Sequence, residues 1–465
     1  MFDELIKLSA TKLVALIAAR KVSPVEVLEA HLRKIEQLNP KLNAIVTLAH
    51  DSLERAREAE SAIMRGDELG SLHGVPFTVK DTIETESVLT TSGSRLRASH
   101  IPKTDAPAVA RLKRAGAILL GKTNVSEMAI PYECDNPVFG RTNNPHDLKK
   151  TSGGSSGGEA AAISACLSPV GLGSDLSGSI RVPAHFCGIA GLKPTTGRIS
   201  SKGHYPPVTG AYSLGAVIGP MARRVEDLSL LLHVLSETKV RKMYEDKTIG
   251  LRGCRVAVYL DEKQAPVTGE TEQAIQTALR TLSEAGLLVV EENPPGIERA
   301  IDLWPALFSN ASLIELRNLY AGEEEKAGAV VSRLLASSES KGSLSLEADS
   351  ARFEQEALSE EIAQWMNRTP LIIVPVGSVP AFEHGARRVN VKGESISVFR
   401  AFGYSRAANV LGFPSVTVPA GRTSSGLPVG IQIIGRPFDE ETLLLAATII
   451  EESLGGWINP PDQTA

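Results

Sequence analysis

The 465-residue sequence carries only four cysteines, Cys134, Cys166, Cys187 and Cys254, and no two of them stand in a C-x-x-C spacing. Free, buried thiols in a reducing compartment are therefore expected. No apolar run reaches the ~20 residues that a membrane-spanning helix needs. The start, MFDELIKLSA, also lacks the positive-then-apolar pattern of a signal peptide. A soluble, cytoplasmic protein is expected. There is no basic block and no basic stripe interleaved with aromatics. The 49 basic residues stand against 54 acidic ones, for a net charge of −5, so nothing supports nucleic-acid binding. Repeats, low-complexity tracts and a clear interdomain linker are missing too.

What is present is enough apolar residue, 42%, to bury a large core. Ser23-Pro24-Val25-Glu26 forms a capping box with proline at the first helical position. Leu28, Leu32, Ile35 and Leu38 continue it as one apolar helix face, ending at Asn39-Pro40. With a shorter helix at Leu13 to Ala19 and a charged one at Ser52 to Arg65, residues 1 to about 70 read as a helical arm. Beyond it, short strands are predicted at residues 74–81, 117–120, 255–260, 287–290, 371–375, 414–418 and 429–434. Helices are predicted at 105–115, 123–129, 225–235, 270–285 and 440–454, and a loop at 188–196. This βαβ order argues an α/β fold with helices on the sheet faces. A single domain over 1–465 is expected. Residues 320–367 read as charged, serine-rich and mostly helical, without chemistry.

The most informative stretch is Gly153 to Arg181, GGSSGGEAAAISACLSPVGLGSDLSGSIR. Glycine lets backbone approach a ligand closely, and clustered amides make concavities for a developing oxyanion. A flexible linker would not carry Ile163, Leu167, Val170, Leu172 and Leu176 at intervals that need burial. The stretch therefore reads as a buried site rich in hydroxyls. Two short patterns are set aside. Gly116 to Thr123 fits G-x-x-x-x-G-K-[ST], but its middle residues Ala, Ile, Leu, Leu make a strand rather than a phosphate cradle. Gly153-Gly-Ser155-Ser-Gly157 fits G-x-S-x-G, yet a polar loop precedes it and no downstream histidine stands in a recognisable setting. The better constellation pairs these serines with Lys80, at the end of a short strand. A lysine serves as base once burial lowers its pKa.

Gly153 to Glu159, Ser174 to Ala184 and Gly188 to Thr195 together resemble the amidase signature. Leu72 to Asp81 is similar to that family's lysine strand, and Gly121 to Asn124 to its next segment. The likeness returns from Phe399 through Gly426–Gly435 and Phe438-Asp-Glu. By Cys134–Gly140 and Gly455-Gly-Trp-Ile, the chain resembles amidases of the fatty-acid-amide-hydrolase kind. The resemblance implies a large mixed, twisted sheet sandwiched between layers of helices. It implies Ser179 as nucleophile, Ser155 as the bridging serine on a cis peptide, and Lys80 as base. It further implies an oxyanion hole from the backbone N–H groups of Leu176, Ser177, Gly178 and Ser179, supported by Ser156, Ser174, Asp175 and Arg181. Met128, Ala129, Ile130 and Tyr132, in the segment after Asn124, are candidate pocket walls. No metal or cofactor is implied.

The family usually shows Thr-Asp-x-Gly-Gly-Ser where this chain has Ser174-Asp-Leu-Ser177-Gly-Ser179, so a left-handed backbone at 177 would be strained. The expected reaction is hydrolysis of neutral aryl or alkyl amides through an acyl-enzyme, extending to carbamates (urethanes) and esters. The expected partner is the small-molecule substrate alone, on a monomer or homodimer. The alternatives are the glutaminase subunit of a tRNA-dependent amidotransferase, which works with partner chains, and a non-catalytic scaffold.

Overall fold

Strand residues alternate between two faces of a sheet, and the cores of this protein follow that alternation. The computed structural model describes residues 2–236, 249–337 and 344–461. Its central feature is a mixed sheet of eleven strands. In chain order these are β1 (Ile45–Leu48), β2 (Pro76–Lys80), β3 (Ile118–Thr123), β4 (Val170–Asp175), β5 (Ala190–Lys193), β6 (Val217–Ala222), β7 (Arg255–Val258), β8 (Leu288–Val290), β9 (Leu371–Pro375), β10 (Ser415–Arg422) and β11 (Pro428–Gly435). Across the sheet they run β1-β3-β2-β4-β6-β5-β10-β11-β9-β7-β8. β3, β2 and β4 are mutually parallel, as are β9, β7 and β8; the other neighbours are antiparallel.

On one face Phe77, Val79, Leu119, Leu172, Ile373 and Ile431 pack with Leu13, Leu112, Leu228, Ile275 and Leu443 from five helices. On the other, Ile118 and Leu120 join Ile163 and Val182, while Ile372 and Ile434 join Ile301 and Phe308. The sheet thus lies between two helical layers, as the resemblance implied. Because Phe77 and Val79 face the first layer, Thr78 and Lys80 point to the second. That places the lysine on the side of the glycine- and serine-rich stretch.

Local signals explain most elements and miss several. Ser23 accepts from the Glu26 amide and Glu26 answers to the Ser23 amide, closing the capping box; the helix runs Pro24–Leu42, through Pro40 to a left-handed Asn43. Pro40 removes one i→i−4 hydrogen bond from the last turn, two residues before the helix ends. The arm is not all helix: β1 forms the sheet edge, antiparallel to β3. Residues 188–196 contain β5, not only loop, and at 123–129 the helix shrinks to one turn at Glu127–Ala129. β4 lies inside the Gly/Ser stretch, where the core residues Val170 and Leu172 alternate with bare glycines at 171 and 173. A Cβ on Gly171 would stand 1.9 Å from Glu159 Oε1. Part of the 320–367 stretch, residues 338–343, lies outside the described residues. Among the described residues no helix is long and apolar enough to cross a membrane.

Candidate active site

β2 and β4 are parallel neighbours, with Phe77, Thr78 and Val79 opposite Val170, Gly171 and Leu172. Their carboxyl ends open on the same side, where ligands bind in sheets of this kind. Lys80 is the last residue of β2, and Ser174 and Asp175 end β4. Lys80 is wholly buried. Its Nζ lies 2.6 Å from Ser155 Oγ, donates to Ser174 Oγ at 2.8 Å, and reaches the Ser174 carbonyl at 3.4 Å. Burial lowers its pKa from 10.5 to about 7, against the opposing pull of Asp175 and Glu159. The lysine is therefore largely neutral at mildly alkaline pH and has a lone pair to offer.

Ser155 follows a cis Gly154–Ser155 peptide and is also wholly buried. Its neighbour Ser156 binds the segments together. The Ser156 amide donates to the Ser179 carbonyl at 3.1 Å, and the hydroxyl bridges the Ser174 carbonyl and amide at 3.3 and 3.4 Å. Ser155 and Ser179 line one cavity, and Ser179 retains 7% exposure into it. The two hydroxyls are not hydrogen-bonded to each other in this arrangement. Such links are often loose without substrate.

The turn from Asp175 to Arg181 is held by a buried ion pair. Arg181 donates to both Asp175 oxygens at 3.0 and 2.9 Å and to Gln432 and Asn409 at 2.7 and 2.6 Å. Burial pushes the Asp175 carboxyl up, but the Arg181 charge and the Ile180 and Gly178 amides pull it well below the usual carboxylate range. The Gly178 amide donates to Asp175 Oδ1 at 2.8 Å. This corrects the expectation of four oxyanion donors: an amide committed to a buried carboxylate does not point at substrate. The amides of Leu176, Ser177 and Ser179 have no protein acceptor among the described residues. Two side chains fix the intervening carbonyls: Trp304 Nε1 donates to Leu176 O at 2.8 Å and Tyr132 OH to Ser177 O at 2.9 Å. In a trans peptide the C=O and the next N–H point opposite ways, so Trp304 turns the Ser177 amide away from itself and Tyr132 turns the Gly178 amide toward Asp175. A positive φ at position 177, which would have strained a serine, is absent; the positive φ falls on Gly178, at 103°. Ser177 is thus unstrained.

Met128, Ala129 and Ile130 line the cavity, whereas Tyr132 stands behind it. Met128 and Ala129 hold left-handed backbone, at φ 53° and 61°, a conformation that costs about 1 kcal/mol or more for a side-chain-bearing residue. Sequence reasoning missed His204, Val208, Tyr212, Trp304 and Ser312, which complete the walls, and also Asn409 and Gln432. None of these sits at a spacing that signals a site. Among the described residues no cluster of His, Cys, Asp and Glu could hold a metal ion.

The geometry therefore joins a buried lysine of low pKa, two cavity-lining serines and a turn of free amides, a set suited to acyl transfer. A family model described as Amidase matches residues 26–444, and the chain belongs to that family; it is an amidase signature hydrolase. The A-subunit of glutamyl-tRNA(Gln) amidotransferase from Carboxydothermus hydrogenoformans is 33% identical to it over 483 residues, covering 97% of this chain and 98% of that one. A bacterial aryl acylamidase of the amidase signature family superposes with a TM-score of 0.83 at 26% identity, covering 96% of each chain. Fatty acid amide hydrolase superposes at 0.87, with 26% identity, over 98% of this chain and 86% of its own.

Proposed function

We propose that this chain hydrolyses an amide C–N bond through an acyl-enzyme on Ser179. The observation that carries this reading is the wholly buried, low-pKa Lys80 set 2.6 Å from Ser155 Oγ. In the proposed relay Ser155 passes its proton to Lys80 as it takes one from Ser179, and Ser179 Oγ attacks the carbonyl. The amides of Leu176, Ser177 and Ser179 meet the oxyanion. The proton returns through Ser155 to the departing nitrogen, and water then frees the acyl group. Residues 1–465 are proposed to act as one domain, since the N-terminal arm supplies a strand of the common sheet.

On the choice of amide, the relatives' names favour the amidotransferase reading over the neutral amides expected from sequence. That reading makes glutamine the amide donor and requires partner chains. A specific observation supports the second reading. Among the described residues lining the cavity, Asp175 is the one charged side chain, and Arg181 already engages it. A glutamine carboxylate would find no cation there, and burying one unpaired costs several kcal/mol. Compact neutral amides and carbamates of aromatic amines fit such walls.

The test is to offer the purified single chain glutamine, a neutral nitroanilide, an aryl carbamate and an ester, alone and with candidate partner proteins. Glutamine cleaved faster than every neutral substrate, or activity only with a partner, selects the amidotransferase reading. Cleavage of the neutral amide by the lone chain selects the other. No turnover of any of them in either setting overturns the hydrolase proposal.

A further inference from the structure

We propose that His204 is a positioning residue of the relay: it takes the Ser174 hydroxyl hydrogen and so turns the lone pair of neutral Lys80 toward Ser155. This rests on the Ser179–Ser155–Lys80 reading above. His204 lies in the loop between β5 and β6 and shares the cavity wall with Ser174. Its Nδ1 is 2.8 Å from the Pro206 carbonyl and its Nε2 is 2.9 Å from Ser174 Oγ. A carbonyl only accepts, so Nδ1 carries the hydrogen. Burial, with the nearby Lys80 adding to it, lowers the pKa of the ring to about 4. A neutral ring with hydrogen on Nδ1 has a bare Nε2, which only accepts.

The rest follows by counting hydrogens. Ser174 has one, and it goes to Nε2. Toward Lys80, Ser174 Oγ is then an acceptor only. Neutral Lys80 has two hydrogens and one lone pair. One hydrogen goes to Ser174 Oγ at 2.8 Å and the other faces the Ser174 carbonyl at 3.4 Å. The lone pair is left for Ser155 Oγ at 2.6 Å. Without His204, the Ser174 hydroxyl is free to donate to Lys80, occupying the lone pair the relay needs. A histidine two hydrogen bonds from the base, and one further pair of steps from the nucleophile, thus sets the direction of the proton path through Ser174.

The test reads the rate of Ser179 labelling by a fluorophosphonate, which requires an activated nucleophile but no knowledge of the natural substrate. His204→Phe keeps a ring and removes the acceptor. Its maximal labelling rate should fall roughly tenfold or more, on the scale of one useful hydrogen bond, with probe affinity within about twofold. His204→Gln, whose amide oxygen accepts, should recover to within about threefold of wild type on the same scale. Because the harm comes from the freed Ser174 hydroxyl, His204→Phe should cost nothing further in a Ser174→Ala background. Losses that multiply, an unimpaired His204→Phe, or an effect on probe affinity alone would overturn the proposal. Nitrogen NMR of histidine-labelled wild type is independent of any variant's folding: hydrogen on Nδ1 is expected, and hydrogen on Nε2 overturns it. Wild type labelled elsewhere than Ser179 overturns the underlying reading instead, and the NMR result still decides the direction of the His204–Ser174 bond.

Discussion

Lys80 and Ser155 meet at 2.6 Å with no carboxylate within ion-pair distance of the lysine among the described residues. A buried lysine paired with Asp or Glu stays charged; one facing hydroxyls gives up its proton. The carboxylates that act on its charge are engaged elsewhere, Asp175 by Arg181 and Glu159 by the hydroxyls of Thr78 and Thr123. That arrangement leaves the lysine able to serve as the proposed base.

Activity should accordingly rise with pH through about 7 and then level off, since the neutral form of Lys80 accumulates above its folded pKa. Lys80→Arg should be nearly inactive, because guanidinium does not release its proton. A pH–rate profile of each enzyme checks this. A flat wild-type profile between pH 5 and 9, or an active Lys80→Arg, would exclude lysine as base.

Ser179→Ala should remove essentially all turnover while leaving the thermal midpoint near that of wild type. The side chain is small, and no hydrogen bond of its hydroxyl is lost. Mass spectrometry of fluorophosphonate-treated wild type should find the adduct on Ser179. An adduct confined to another serine contradicts the assignment.

Tyr132→Phe should lower kcat by about tenfold with KM little changed, the scale of one hydrogen bond lost from the oxyanion turn. From behind the cavity wall the hydroxyl fixes the Ser177–Gly178 peptide, whose N–H binds Asp175, and so braces the turn that carries the proposed Leu176, Ser177 and Ser179 donors. Were Tyr132 a pocket residue instead, KM would carry the loss, so steady-state kinetics separate the two roles.

Neighbouring positions 177 and 178 should answer in opposite ways. Ser177→Gly relieves no strain, because its φ is ordinary, and should keep kcat within about threefold while lowering stability by ~0.5–1 kcal/mol through added chain entropy. Gly178→Ala should destabilise strongly and abolish activity. Its φ of 103° is hostile to a side chain, and a Cβ would stand 2.7 Å from Ser405 Cβ. Denaturant melts and kcat of the two variants provide the comparison.

Ala129→Gly should stabilise or be neutral, whereas alanine-to-glycine exchange ordinarily destabilises. At φ 61° the strain removed offsets the entropy added. A loss above about 1 kcal/mol in a denaturant melt, the ordinary cost of glycine, would refute this.

The sequence by itself determined the family, the α/β class and the residues of the proposed relay, because these are carried by short contiguous runs. Phe77 to Lys80 alternates on a strand, so which face Lys80 takes is already written locally. The capping box at Ser23 is local in the same way. Tertiary structure alone decided the rest. In β4 Val170 and Leu172 alternate with glycines, and why position 171 must stay bare shows only when Glu159 is packed against it. The partners of Arg181 beyond Asp175, Asn409 and Gln432, stand 228 and 251 residues away. His204 acquires a role only when its loop is folded over the end of β4. Periodicity reports the face of one element. Which hydrogen a hydroxyl gives away depends on acceptors brought from other elements, and only the folded chain puts them within about 3 Å.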